Sequence, residues 1–187
     1  MSSPTLILAS RSPRRAELLR QIGVDFEVQT AAVDERRLPG QSPADYAVAT
    51  ALLKARAIKS DALVLGADTD VVVDGDILGQ PQTRNEALAM LARVSDREHE
   101  VYSGVAVVRG ARVETALSVT RVLFSTISPE AAEAYWQTGE PVGKAGAYAI
   151  QGRAARWVRE LHGSYSGVVG LPLYETAELL SRFGVRR

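Results

Sequence analysis

Four stretches of the chain combine residue types suited to phosphate, a cation and a nucleobase. The first is Ser10-Arg11-Ser12-Pro13-Arg14-Arg15, which follows the apolar run Thr5-Leu6-Ile7-Leu8-Ala9. A β-rich run that turns directly into a helix start sets free N–H groups and the positive end of the helix dipole beside a strand end. The hydroxyls of Ser10 and Ser12 and the guanidinium groups of Arg14 and Arg15 add donors suited to an anion. The expected ligand is a phosphorylated small molecule, although adjacent arginines in a first helical turn also suit a plain solvated face.

The second stretch is Asp68-Thr69-Asp70, expected at the carboxyl end of the buried run Ala62–Ala67. Ligands of open α/β sheets bind beyond such strand ends, and an acid there can activate water or hold a divalent cation. A turn carboxylate satisfying nearby amides is the plainer alternative. Of the two acids, Asp70 is expected to face solvent, because a valine run follows it.

The third constellation pairs Asp34-Glu35 with Lys54, and from spacing alone these read as surface charges. The chain carries 19 arginines and only three lysines (Lys54, Lys59, Lys144), which draws attention to places where a compact point charge survives. The fourth is Lys144-Ala-Gly-Ala-Tyr-Ala-Ile-Gln151-Gly152, whose small residues let a ligand approach the backbone. The Gln151 amide presents a donor and an acceptor side by side, as a base edge does. A glycine-kinked strand accounts for the same residues equally well.

The elements that must position these groups follow from caps and periodicity. Helices are expected at about Pro13–Ile22, from Ser42-Pro43 to about Lys59, from Thr83 to about Val94, from Ser128-Pro129 through Trp136, and over Pro172–Phe183. In the second of these, Tyr46, Ala49, Leu52 or Leu53, and Ile58 lie near helical spacing. Strands are expected at Thr5–Ala9, Phe26–Thr30 and Ala62–Ala67, in a short hairpin around Asp74-Gly75, and in a long one formed by Val101–Val108 and Val113–Thr126. Ala147–Ile150 and Ala154–Leu161 complete the set. Strands and helices alternate with hairpins inserted, which predicts one α/β domain over 1–187 with a mixed twisted sheet and two lobes around a cleft.

Composition narrows the function. Lys+Arg and Asp+Glu are both 22, so no global field favours nucleic acid or an anionic membrane, and any anion site is local. Without cysteine there is no disulfide, thiolate metal site or Cys nucleophile, and His99 and His162 make no convincing zinc site. Neither a Walker A sequence nor a G-x-S-x-G elbow occurs. With no signal-like segment, a cytoplasmic location is expected.

Taken together and in order, these stretches resemble the Maf proteins, nucleoside triphosphate pyrophosphatases with an inosine-triphosphatase-like fold. The resemblance rests on Ala9-Ser10-x-Ser12-Pro13-Arg14-Arg15, Asp34-Glu35, Lys54-Ala55 and Leu65-Gly66-Ala67-Asp68-Thr69. It continues through Lys144–Tyr148 with Gln151-Gly152, and Gly163-Ser164-Tyr165 with Val169–Leu173. It implies hydrolysis between the α and β phosphates with a divalent metal, Mg²⁺ or Mn²⁺. Asp68 would be the base or a carboxylate at the metal, Glu35 a second acid there, and Lys54 and Arg15 the phosphate cations. Arg14, Thr69 and Gln151 resemble the branch acting on dTTP and UTP, with modified pyrimidines such as 5-methyl-UTP as further candidates. The family's other implied properties are a homodimer and an association with septum formation. A nucleotide-binding regulator of division with little turnover is therefore the competing expectation. Two departures stand out. Gln80 replaces the usual lysine of Gly-Lys-Pro, a loss that Arg84 or Lys144 could offset, and Asp70 stands where an apolar residue is usual.

Overall fold

The computed structural model describes residues 6–185; Thr5, expected in the first strand, lies outside them. Seven strands form one mixed sheet in the order β2-β1-β3-β5-β6-β7, with β4 paired to β3. The central members are β1 (Leu6–Leu8), β3 (Leu63–Val73), β5 (Glu98–Arg109) and β6 (Arg112–Phe124). Strand β1 runs parallel to both β2 (Phe26–Val28) and β3, while β3, β5, β6 and β7 (Val158–His162) are successively antiparallel. The expected mixed α/β sheet flanked by helices is present.

Four helices begin at the caps read from the sequence. Ser12, Ser42, Thr83 and Ser128 each accept from a backbone N–H three residues on, opening α1 (Pro13–Gln21), α2 (Pro43–Ala57), α3 (Arg84–Val94) and α4 (Pro129–Trp136). A short α5 (Tyr165–Val169) precedes α6 (Leu173–Arg182), which starts just after Pro172. Among the described residues no helix is long and apolar enough to cross a membrane.

Three expectations need correction. Strand β3 does not end before Asp68. It continues to Val73, with β4 (Asp76–Leu78) folding back on its end, because β5 pairs with it at every position from Val64 to Val72. Asp68 and Asp70 are therefore mid-strand residues with Thr69 facing the other way, and both acids are buried, at 7% and 8% exposure. Asp70 does not face solvent. The second correction concerns Ala147–Ile150, where a 3₁₀ turn (Ala145–Ala147) replaces the strand. Gly146 and Ala147 adopt φ of 65° and 61°, which no strand accommodates. Likewise Arg153–Trp157 is a 3₁₀ turn, and only Val158–His162 is strand.

The third correction is the buried face of α2. Ala47, Thr50, Ala51 and Ala55 pack inward, whereas Ala49 and Leu53 are exposed. The helix lies unusually low on the sheet. A Cβ on Gly66 would stand 2.2 Å from the Ala51 carbonyl oxygen, and one on Gly104 would stand 2.3 Å from that of Ala47. Glycine below and alanine above make this approach feasible. The larger apolar core lies on the opposite face, where Leu63, Leu65, Ala67, Val71 and Val73 meet residues of α1, α3, α4 and α6. Each face of β3 thus meets different partners, and each carries its own part of the site.

Candidate active site

A cleft of about 690 Å³ gathers nine of the residues singled out from the sequence: Ser10, Arg14, Arg15, Glu35, Lys54, Thr69, Gln80, Lys144 and Gln151. Asp68 is not among its lining residues; its carboxylate lies behind the Lys54 ammonium, 2.7 Å away. Both Gln80 and Gln151 have exposed side chains at the cleft.

One side of the cleft is built for an anion. Arg15 Nε donates to the Gly170 carbonyl at 2.7 Å, Nη1 to Ser10 Oγ at 3.3 Å, and Nη2 to Thr69 Oγ1 at 3.3 Å. Thr69 Oγ1 donates in turn to the same Gly170 carbonyl at 3.3 Å. Arg14 Nε donates to the Val169 carbonyl at 3.2 Å. None of these acceptors carries a formal charge, so the two guanidinium groups are oriented without being directly neutralised. Burial lowers the pKa of both, Asp68 opposing the shift at Arg15 and Glu17 at Arg14. The Lys144 ammonium, 3.2 Å from the Val142 carbonyl, is likewise lowered by burial and then by Arg14. Positive charge is therefore crowded on this side.

The other side is acidic and internally paired. Lys54 Nζ lies 2.7 Å from Asp68 Oδ1 and 3.1 Å from Glu35 Oε2. Lys54 comes from α2 and Asp68 from β3, so the low seat of α2 on Gly66 and Gly104 is what brings them together. Glu35 sits on the long loop after β2, which Tyr46 Oη of α2 pins by donating to the Glu35 carbonyl at 2.7 Å. Asp70 lies on the same face, and its buried Oδ2 has no partner. Burial first, and then the Asp68 carboxylate, push the Asp70 pKa up to about 8.

This acidic side fits a hard divalent cation. Its donors are carboxylate oxygens and its centre already holds a positive charge, that of Lys54. Among the described residues no three acidic or histidine side chains surround one point. A pair of carboxylates suits a magnesium-like ion that draws its other ligands from water and phosphate.

Sequence reasoning missed several contributors. The Val169 and Gly170 carbonyls orient both arginines, and Gly170 takes a φ of 145°. A glycine next to Leu-Pro was the available signal. His99, buried in the sheet, meets Tyr148 Oη at 2.8 Å through Nε2 and packs edge-on against Phe124 and Tyr148. Tyr148 lines the cleft within the segment carrying Lys144 and Gln151. Of the two residues considered as substitutes for the lost lysine, Arg84 is bound to Glu133 and Asn85 and does not line the cleft, whereas Lys144 does.

Comparison with known proteins gives a consistent result. The family described as Maf-like protein matches residues 5–183. A dTTP/UTP pyrophosphatase of Symbiobacterium thermophilum is 52% identical, covering 96% of this chain and 94% of that protein. One from Pseudoalteromonas atlantica is 48% identical over 96% of this chain and 97% of its own length. Among solved structures, the Ham1 protein of Staphylococcus aureus covers 96% of this chain and 97% of its own, with 14% identity and a TM-score of 0.48.

Proposed function

The chain belongs to the Maf family, and from that premise we propose that it hydrolyses dTTP and UTP to the nucleoside monophosphate and pyrophosphate. The observation that carries this reading is one cleft with oriented arginines on one side and an Asp68–Lys54–Glu35 ion triad on the other. In phosphoryl chemistry the protein mainly positions groups and neutralises charge, so cations and carboxylates facing one space are the required equipment.

Arg15, backed by Ser10 and Thr69, holds the phosphates, and Lys54 and Lys144 add charge to them. Asp68 and Glu35 would hold the divalent cation, which would supply Lewis-acid neutralisation of phosphate charge. Water attacks the α-phosphorus and gives its proton to the Asp68 carboxylate, the bond to the bridging α–β oxygen breaks, and pyrophosphate leaves with the bonding electron pair. Gln151 faces the imide edge of thymine or uracil, where donor and acceptor alternate as they do on its amide. Arg14 and Thr69 complete the pyrimidine selection, and modified pyrimidine nucleotides fit the same reading. The nucleotide-binding regulator with little turnover is not favoured, since the relatives are named as pyrophosphatases.

Pyrophosphate release across the common nucleoside triphosphates, with Mg²⁺ or Mn²⁺, tests the proposal. The expected result is turnover of dTTP and UTP well above that of dATP and GTP. Comparable turnover of all four would overturn the specificity.

A further inference from the structure

The space between Asp68 and Glu35 is already taken. Lys54 Nζ contacts both carboxylates, and its side chain is only 16% exposed. A divalent ion using the same oxygens would lie against an ammonium ion in poorly solvated surroundings, where like charges repel strongly. Lys54 and a divalent cation therefore exclude one another in this arrangement. Helix α2 is seated directly on Gly66 and Gly104 with no side chain between, and lifting it would give up that close packing. The flexible lysine stem can swing instead. It borders the same cleft as Arg15 and Lys144, where phosphate oxygens would offer the ammonium a new partner.

Resting on the cation reading above, we propose that Lys54 is the cation's placeholder in the substrate-free enzyme. The nucleotide draws the lysine off Asp68 and Glu35, and the divalent ion enters with the nucleotide rather than ahead of it. With two carboxylates paired to Lys54, the ion's remaining ligands would come from water and from the phosphates that displace the lysine. Lys54 supplies the positive charge that the divalent ion later supplies.

Equilibrium dialysis of Mn²⁺ against wild type, Lys54→Met and Lys54→Arg tests this, with circular dichroism melts confirming that each is folded. Without nucleotide, Lys54→Met is expected to bind Mn²⁺ at least about tenfold more tightly than wild type, while Lys54→Arg stays as weak as wild type. With α,β-methylene-dTTP present, wild type is expected to take up Mn²⁺ beyond a nucleotide-only blank. Equal binding by wild type and Lys54→Met without nucleotide overturns the placeholder and leaves the cation reading intact. Tight binding by Lys54→Arg shows loosened packing rather than removed charge, and also overturns it. Failure of every protein to take up Mn²⁺, even with the analogue, overturns both readings.

Discussion

Asp68 and Thr69 are adjacent on β3 yet serve opposite sides of the cleft, and the two sides are held by different physics. Around Thr69, a guanidinium is fixed by a carbonyl and two hydroxyls, all uncharged, so its charge is left unpaired for an anion. Around Asp68, each charge is met by another charge of the protein itself. The first side is preorganised, its ordering cost already met during folding. The second is internally paired, two carboxylates on one ammonium, and must be opened before it can work. Binding and turnover should therefore respond differently to damage on the two sides.

The largest expected effect falls on the acidic side. Asp68→Asn should lower kcat for dTTP by about 10²–10⁴-fold in a pyrophosphate-release assay, while binding of a non-hydrolysable analogue, measured by calorimetry, changes little. Equal losses in both would break the division between the sides. Next comes the buried histidine behind Tyr148. Burial first, and then Arg97, hold the His99 pKa down to about 4, against 6.5 ordinarily. The folded state thus refuses a proton that the unfolded chain accepts. The stability this represents is complete above pH 6.5 and is lost as pH falls toward 4, amounting to about 3 kcal/mol. Denaturant melts of His99→Phe across that window should show a flatter pH dependence than wild type.

Arg15→Lys is expected to reduce kcat/KM by about 10–100-fold, because a lysine cannot reach Ser10, Thr69 and Gly170 together. On the preorganised side the loss should appear in analogue binding as well as turnover. A smaller effect of the same kind of test belongs to Gly104→Ala, where the new methyl forces α2 off the sheet. We expect a stability loss of about 1–3 kcal/mol by thermal melt, with turnover falling more than analogue affinity as α2 carries Lys54 out of its place in the cleft. The smallest change is expected for Gln80→Lys, a gain in kcat/KM of less than about tenfold, because Lys144 already faces the cleft. A double cycle with Lys144→Met should reveal coupling of about 0.5–3 kcal/mol.

The same contrast explains what could be read from the sequence. Strand β1, the Ser12 cap and α1 are contiguous, so caps and Pro13 announced the anion side directly. The acidic side draws Glu35 from a loop, Lys54 from a helix and Asp68 from a strand, and spacing alone read the first two as surface charge. Resemblance to a family brought them together. Asp-Thr-Asp looked like a turn because two carboxylates rarely occupy a buried strand interior, and only pairing with β5 holds them there. The face of α2 was misjudged because its contact is made by alanines and glycines, which leave almost no hydrophobic signature. The turn at Ala145–Ala147 was hidden by Ala147, a residue type that seldom adopts positive φ.

The alternation of Asp68, Thr69 and Asp70 has a consequence for how this chain can change over time. A strand's side chains swap faces whenever its register moves by one residue. An insertion of a single residue in β3 ahead of Asp68 would turn the threonine hydroxyl toward α2 and the carboxylates toward Arg15. Every functional residue would still be encoded, yet donors and acids would have exchanged sides. Point substitutions in this strand erode function locally, whereas a change of length by one inverts it. Insertion scanning should accordingly find the loop between β2 and α2 far more tolerant than the segment from Val64 to Val72.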